Sequence, residues 1–328
     1  MKKKKRIYYI HSPSNSLNNG GVETLHQLAH HLKINDFKAY ISFYPQININ
    51  TIPKKLLKYN VDYQNYSDLE NSIHIIPEVD TARIKLIKKG KCIIYWLSVD
   101  SYFQKNSDKP FWKNWNYYRK TLNKRIFLFR LKKFQHLVNS HYAKYFLENR
   151  NIKSTILKGY ISNYYTDEFN ILFKKNIVLY NPQKDRVHIK KIKKLLPDYE
   201  FKGLSNMLES EIKENYIKSK IFLDLGTHPG RERMPREASM MGCILILANR
   251  GSVQNKFDVP INDLYKINLH KKDYYEKVVN LIKNISNKYE HHLKNFDHYR
   301  KLVSYTNEHK IFDEIVKQYF SNIDRVIK

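Results

Sequence analysis

Asp224-Leu-Gly-Thr-His-Pro-Gly-Arg-Glu-Arg-Met-Pro-Arg-Glu-Ala-Ser-Met-Met-Gly-Cys243 joins two apolar runs, 221–225 and 244–248, and its reading decides the fold. The runs read as buried strands. Pro235 suits the first turn of a helix, where its missing N–H leaves nothing unpaired. Strand, loop, helix, strand is one step of a βα repeat. Residues 226–235 then fall beyond the carboxyl end of a parallel strand, where open α/β sheets hold their ligands.

The same alternation extends in both directions. Upstream in the second half, strands are expected at 176–180 and 199–202, with a basic helix at about 187–196 and another at 209–217. The first half shows it too, with strands at 7–10, 38–43, 72–76, 91–97 and 136–139. A helix between the first two carries Val22, Leu25, Ala29 and Leu32 on one face. A helix at 140–149 and a last strand at 154–161 precede a polar segment, 163–168, where we place the domain junction. The expected fold class is α/β: two Rossmann-like, doubly wound domains facing a cleft. The first domain is expected to span 1–165 and the second 166–328. Two long terminal helices after Asp273 are expected to cover the second sheet, with the length to cross back.

Composition agrees and narrows the function. A chain of 328 residues, 42% hydrophobic, can bury two cores. Its longest apolar runs reach only about eight residues, against the roughly 20 of a spanning helix. The lysine-rich lead at 2–6 meets too short an apolar stretch for a signal peptide and reads as the approach to the first strand. Cys92 and Cys243 each sit in an apolar run, which suits reduced, buried thiols and a cytoplasmic protein. The net charge of +28 would attract phosphates or an anionic membrane surface, although a chain crowded with Asn, Ile, Tyr and Lys also fits codon bias.

The loop residues supply the chemistry. Free amides near Pro235 would hold a phosphate, and Arg231, Arg233 and Arg236 would add charge-assisted bonds to a diphosphate. Glu237, taken as a first-turn residue, can accept from ribose hydroxyls. The competing reading is a surface loop whose arginines and glutamates pair with one another. Lys184, after the strand at 176–180, is a second diphosphate candidate, or one lysine among many.

The run Met-Pro-Arg-Glu-Ala-Ser-Met-Met-Gly-Cys resembles the donor-binding helix of retaining GT-B glycosyltransferases, family 4-like enzymes, whose paired Glu residues precede Ala and small residues. The resemblance implies that 1–165 is the acceptor-side domain, that 166–328 binds the nucleotide-sugar donor, and that Glu237 grips the nucleotide's ribose. Glu232 stands closer to Glu237 than the family's first acid does, so His228 or the Gly230 backbone stands as an alternative contact to the donor sugar. With Val-Leu-Tyr-Asn-Pro-Gln-Lys184 and Trp96-Leu-Ser-Val-Asp100, the chain is similar to a bacterial group from surface-polysaccharide (capsule or lipopolysaccharide) clusters. The implied reaction is transfer from a nucleotide sugar, a UDP-sugar by preference, without metal or other cofactor. The implied acceptor is an oligosaccharide or lipid-linked glycan at the inner face of the membrane, where the protein would be peripheral.

In the first domain, Gly20 and Gly21 precede a helix where similar enzymes bring backbone close to donor phosphate, though a tight turn uses the same residues. Asp100 is a base on the acceptor hydroxyl, an orienting group for the sugar, or a helix N-cap. No metal ligands stand at ligand spacing, and neither a Gly-x-Ser-x-Gly elbow nor a phosphate loop is present. A sugar-nucleotide epimerase or hydrolase of the same fold is the alternative. Charge alone suggests nucleic acid, and no compact basic-aromatic module supports it, so nucleic acid is not an expected partner.

Overall fold

The computed structural model describes residues 5–103, 124–166, 168–184 and 187–326. Residues 2–4 of the lysine-rich lead lie outside them. The chain divides into two compact units, Met1–Gly159 with Pro229–Arg231 and Lys310–Lys328, and Tyr160–His228 with Glu232–His309.

The first unit is a seven-stranded, all-parallel sheet in the order β3-β2-β1-β4-β5-β6-β7. Its strands are β1 (Ile7–Pro13), β2 (Lys38–Tyr44), β3 (Asp62–Tyr63), β4 (Ser72–Pro77), β5 (Lys91–Trp96), β6 (Gln135–Val138) and β7 (Thr155–Ile156). β1 pairs along its whole length with β2 and from Ile7 to Ile10 with β4, so the chain reverses its direction of travel across the sheet at β1/β4. Every residue of β4 is buried, as a sheet covered on both faces requires. Helix α1 (Gly20–Ile34) lays Val22, Leu25, Ala29 and Leu32 into the core, the face its spacing predicts. The helices α2 (Lys54–Leu57), α3 (Val99–Phe103), α4 (Leu128–Leu131) and α5 (His141–Glu148) complete the layers.

The second unit is a five-stranded parallel sheet in the order β12-β11-β10-β8-β9, with its reversal at β8/β10. The strands are β8 (Lys175–Tyr180), β9 (Glu200–Gly203), β10 (Ser219–Asp224), β11 (Ile244–Ala248) and β12 (Lys266–Ile267). The helices between them are α6 (Val187–Leu195), α7 (Glu209–Lys218) and α8 (Arg233–Met240). All five residues of β11 are buried.

Two expectations need correction. The strand foreseen over 154–161 pairs only at Thr155–Ile156. Beyond Leu157 the side chain of Asn139 takes over, accepting from the Gly159 amide at 2.7 Å, and the backbone leaves the sheet. The two long terminal helices are four: α9 (Tyr274–Asn287), α10 (Tyr289–Lys294), α11 (Asp297–Val303) and α12 (Tyr305–Val326). Lys288 (φ −123°, ψ 42°) breaks the first, and Ser304, with ψ at 145°, starts the last by accepting from the Asn307 amide at 3.4 Å. Among the described residues no helix is long and apolar enough to cross a membrane.

Candidate active site

Crevices in doubly wound sheets open at the carboxyl ends of the strands where the order reverses. In the second unit this is the end of β8 and β10. Lys184 follows β8, and the loop quoted at the outset follows β10. The Lys184 Nζ lies 2.8 Å from Glu232 Oε2, 3.4 Å from Asp224 Oδ2 and 3.3 Å from the Thr227 carbonyl. Burial alone would lower the lysine's pKa, but Glu232 and Asp224 outweigh it and hold the ammonium above its ordinary range. Burial would likewise raise the Asp224 carboxyl, and the adjacent Lys184 holds it down instead. Lys184 is therefore a charged group at the right strand end, committed to two carboxylates. The partner able to yield is Glu232, whose side chain is 26% exposed against 2% for Asp224.

His228 is buried, its pKa lowered by that burial. The neutral ring donates from Nε2 to the Asp224 carbonyl at 3.3 Å, because a carbonyl can only accept. The His228 carbonyl accepts from the Ser252 amide at 2.9 Å. Gly226 is required here, since a Cβ would stand 2.7 Å from the Lys184 side chain.

Helix α8 begins at Arg233, earlier than expected, so Pro235 is its third residue and Glu237 lies in the second turn rather than the first. The Glu232 side chain, at the N-cap of α8, makes no capping bond to the helix's first turn. Glu237 is buried, and its Oε1 lies 3.0 Å from Arg233 Nε without hydrogen-bond alignment. Arg236 is placed differently. Its Nη1 meets Glu308 Oε2 at 2.8 Å, both side chains 5% exposed, and its Nε donates to the Glu232 carbonyl at 3.1 Å.

Arg231 sits in the tripeptide that belongs to the first unit, where its Nη1 donates to the Gly159 carbonyl at 2.8 Å. Beside it Gly230 bridges Ser98, and a Cβ on Gly230 would stand 2.5 Å from the Leu97 carbonyl oxygen. Gly20 and Gly21 open α1, with Gly21 against Leu97. Ser98 caps α3: its Oγ accepts from the Ser101 amide at 3.2 Å. Asp100, in the first turn of α3, instead accepts from the Tyr142 hydroxyl at 3.1 Å.

Two groups escaped the sequence reading. Glu78, directly after β4 at the β1/β4 reversal, is buried and accepts from the amides of Leu97 (2.8 Å) and Ser98 (3.1 Å), with burial pushing its carboxyl up to about 7. Its position after an apolar strand was the only available signal. Arg250, after β11, donates to the carbonyls of Gly226 (2.8 Å) and Leu225 (3.0 Å) and so ties down the loop after β10. The run Asn249-Arg-Gly-Ser252 had the same placement as the loop that was noticed, after a buried strand.

Two all-parallel, doubly wound units with polar loops at their reversal points define the GT-B fold, as the sequence predicts. Among solved structures the chain is similar to sucrose-phosphate synthase from Thermosynechococcus elongatus, with 10% identity over 98% of this chain and 99% of that one and a TM-score of 0.58. It is similar also to WaaG, a glycosyltransferase involved in lipopolysaccharide biosynthesis (10% identity, 94% and 99% covered, TM-score 0.55). A third is a Listeria monocytogenes protein assigned as UDP-N-acetylglucosamine 2-epimerase (9% identity, 90% and 91% covered, TM-score 0.53). No family model matches the chain, and no curated protein sequence does. Identities this low establish a shared fold and nothing finer.

Proposed function

We propose that this chain is a glycosyltransferase that moves a sugar from a nucleotide-sugar donor, a UDP-sugar by preference, onto a surface-glycan acceptor. The observation that supports it most is the group at the β8/β10 reversal: a charged Lys184, the start of α8 at Arg233 and a buried Glu237 with an unaligned carboxylate oxygen. A diphosphate can take Lys184 from Glu232 and lie at the positive end of α8, while Glu237 accepts from the ribose. In the reaction the bond from the anomeric carbon to the diphosphate breaks and a bond to the acceptor oxygen forms. The acceptor's proton leaves to a base or to the departing phosphate. Lys184 and the helix amides stabilise the charge growing on that phosphate. Asp100 is the acceptor-side carboxylate in this reading, and Arg236 is assigned to holding α8 through Glu308. Retention, metal independence and a peripheral position at the inner membrane face belong to the same proposal.

The test is thermal stabilisation of the full chain by UDP, GDP, CMP, dTDP and ADP. A nucleotide at about 100 times its dissociation constant adds roughly 2.7 kcal/mol. One nucleotide should stabilise the protein, and Glu237→Ala should abolish the effect while leaving the unliganded melt cooperative. Stabilisation by none of them would end this reading. An epimerase of the same fold would convert the matching nucleotide sugar without an acceptor, whereas the transferase releases nucleoside diphosphate in proportion to acceptor.

A further inference from the structure

The first unit contains a cavity of about 650 Å³, inside the roughly 300–1,000 Å³ typical of small-molecule sites. It lies at the wrong end of the sheet for the transfer chemistry. The strand residues that line it, Ile73, Lys91, Cys92, Ile93 and Gln135, come from the amino ends of β4, β5 and β6, whereas Glu78, Ser98 and Asp100 follow the carboxyl ends.

Its walls and rim differ in chemistry. Ile73, Ile84, Ile87, Ile93 and Phe134 give apolar walls. Lys85, Lys91, Arg130 and Lys133 add four cations, and among the described lining residues there is no carboxylate, Asp68 standing behind the wall with its carboxylate accepting from the Gly90 amide at 2.7 Å. Lys85, Lys91, Arg130 and Lys133 are all exposed, so their charged heads can stay in water while the isoleucines and Phe134 line the rest. Chain neighbours of the lining residues are apolar and exposed. Leu86, next to Lys85, is 54% exposed, and Phe127 and Phe129, which flank α4's first residue, are each 64% exposed and stack with centroids 6.0 Å apart. Isolated apolar residues on a surface need no explanation, but three of them adjoining in sequence the residues that line a partly apolar, cation-bearing cavity do. Long cationic side chains lying along apolar surface with their heads in water match the boundary between an alkyl chain and an anionic head group.

We infer that this cavity is a binding site for an anionic amphiphile, a single alkyl chain bearing a phosphate head, separate from the nucleotide site. The chain enters among the isoleucines and the head group pairs with Arg130, Lys133, Lys85 and Lys91. The inference does not depend on the transfer reaction.

Dodecyl phosphate, kept below its micelle-forming concentration, is the probe, titrated calorimetrically into the full chain. One-to-one binding is expected, weakening about fourfold for each methylene removed from the chain. Inorganic phosphate and dodecyltrimethylammonium should not bind. Arg130→Glu with Lys133→Glu, both surface changes, should weaken dodecyl phosphate at least tenfold, and Cys92→Phe should fill the cavity and block it. UDP stabilisation should be the same in these variants, so failure here leaves the donor site untouched and failure there leaves this site untouched. Absence of binding, equal binding of the cationic detergent, or indifference to the charge reversals would overturn the assignment. Sedimentation with vesicles of anionic lipid, lost in the charge-reversed variant, identifies a bilayer lipid as the source; binding of the soluble amphiphile without sedimentation identifies a free one. Either result supports the site.

Discussion

At the scale of single residues, the informative feature is a lysine whose charge is already spoken for. Lys184 lies between Asp224 and Glu232, and a phosphate arriving at the β8/β10 crevice competes with Glu232 for it. Removing that competitor has a definite sign. Glu232→Gln should tighten UDP binding by roughly tenfold, about 1.4 kcal/mol, the size of one charge-assisted contact. Calorimetry checks this, and weaker binding would show that Glu232 contacts the nucleotide itself. Lys184→Met should act oppositely. It leaves two carboxylates beside a lost cation, one of them fully buried, and should cost about 3 kcal/mol in urea unfolding, part of it recovered in the double variant with Glu232→Gln. Gly251 is the sharpest backbone constraint nearby: its φ is +59°, and a Cβ there would stand 2.1 Å from the His228 carbonyl oxygen. Backbone cannot swing aside as a side chain can. Gly251→Ala should therefore cost about 2 kcal/mol or more by the same measurement.

At the scale of elements, most of the repeat was legible because buried parallel strands are continuous apolar runs, and helix α1 displays its spacing openly. The two-residue edge strands β3 and β12 were not, since Asp62–Tyr63 and Lys266–Ile267 carry no pattern of their own and exist only through their neighbours. The loop after β10 was visible because strand, glycine, arginine and proline coincide there. Glu78 was invisible because what marks it is the sheet order, a property of seven strands rather than of any window. Lys174 was also passed over as one more lysine. Its Nζ, buried, donates to the carbonyls of Tyr216 (2.8 Å), Ser219 (2.9 Å) and Met241 (2.5 Å), so it ties the ends of α7 and α8 together. The Cys243 thiol reaches the first two carbonyls at 3.3 Å but not the third. Lys174→Met should thus leave the Met241 carbonyl orphaned and lower stability by about 3 kcal/mol. A denaturation midpoint unchanged by that substitution would show that water can replace the ammonium.

At the scale of the whole molecule, titratable groups buried in the first unit make its stability depend on pH. Burial holds His26, His74 and His136 down to about 4, and His11 is lowered by the same cause. Two of these rings belong to a directional relay. The Arg83 Nε donates to His11 Nδ1 (3.3 Å), His11 Nε2 to His74 Nδ1 (3.0 Å), His74 Nε2 to Ser72 Oγ (2.8 Å), and the serine hydroxyl to the Leu69 carbonyl (2.7 Å). A proton added to either ring would set donor against donor, so both must stay neutral. Between about pH 6.5 and 4 the unfolded chain therefore binds more protons than the folded one, and the stability these histidines contribute is lost as pH falls through that window. Glu78 has the opposite sign. Its folded value near 7 lies above the unfolded 4.5, so its contribution is full below 4.5 and gone above 7. Four histidines outweigh one carboxyl. The melting temperature of the full chain should drop on going from pH 7 to pH 4.5, and Glu78→Gln, which removes an opposing group while keeping an acceptor near the Leu97 and Ser98 amides, should make the drop steeper. A melting temperature that holds level between those pH values, or a shallower drop in the variant, would mean that water reaches these rings and that they titrate as they do in the unfolded chain.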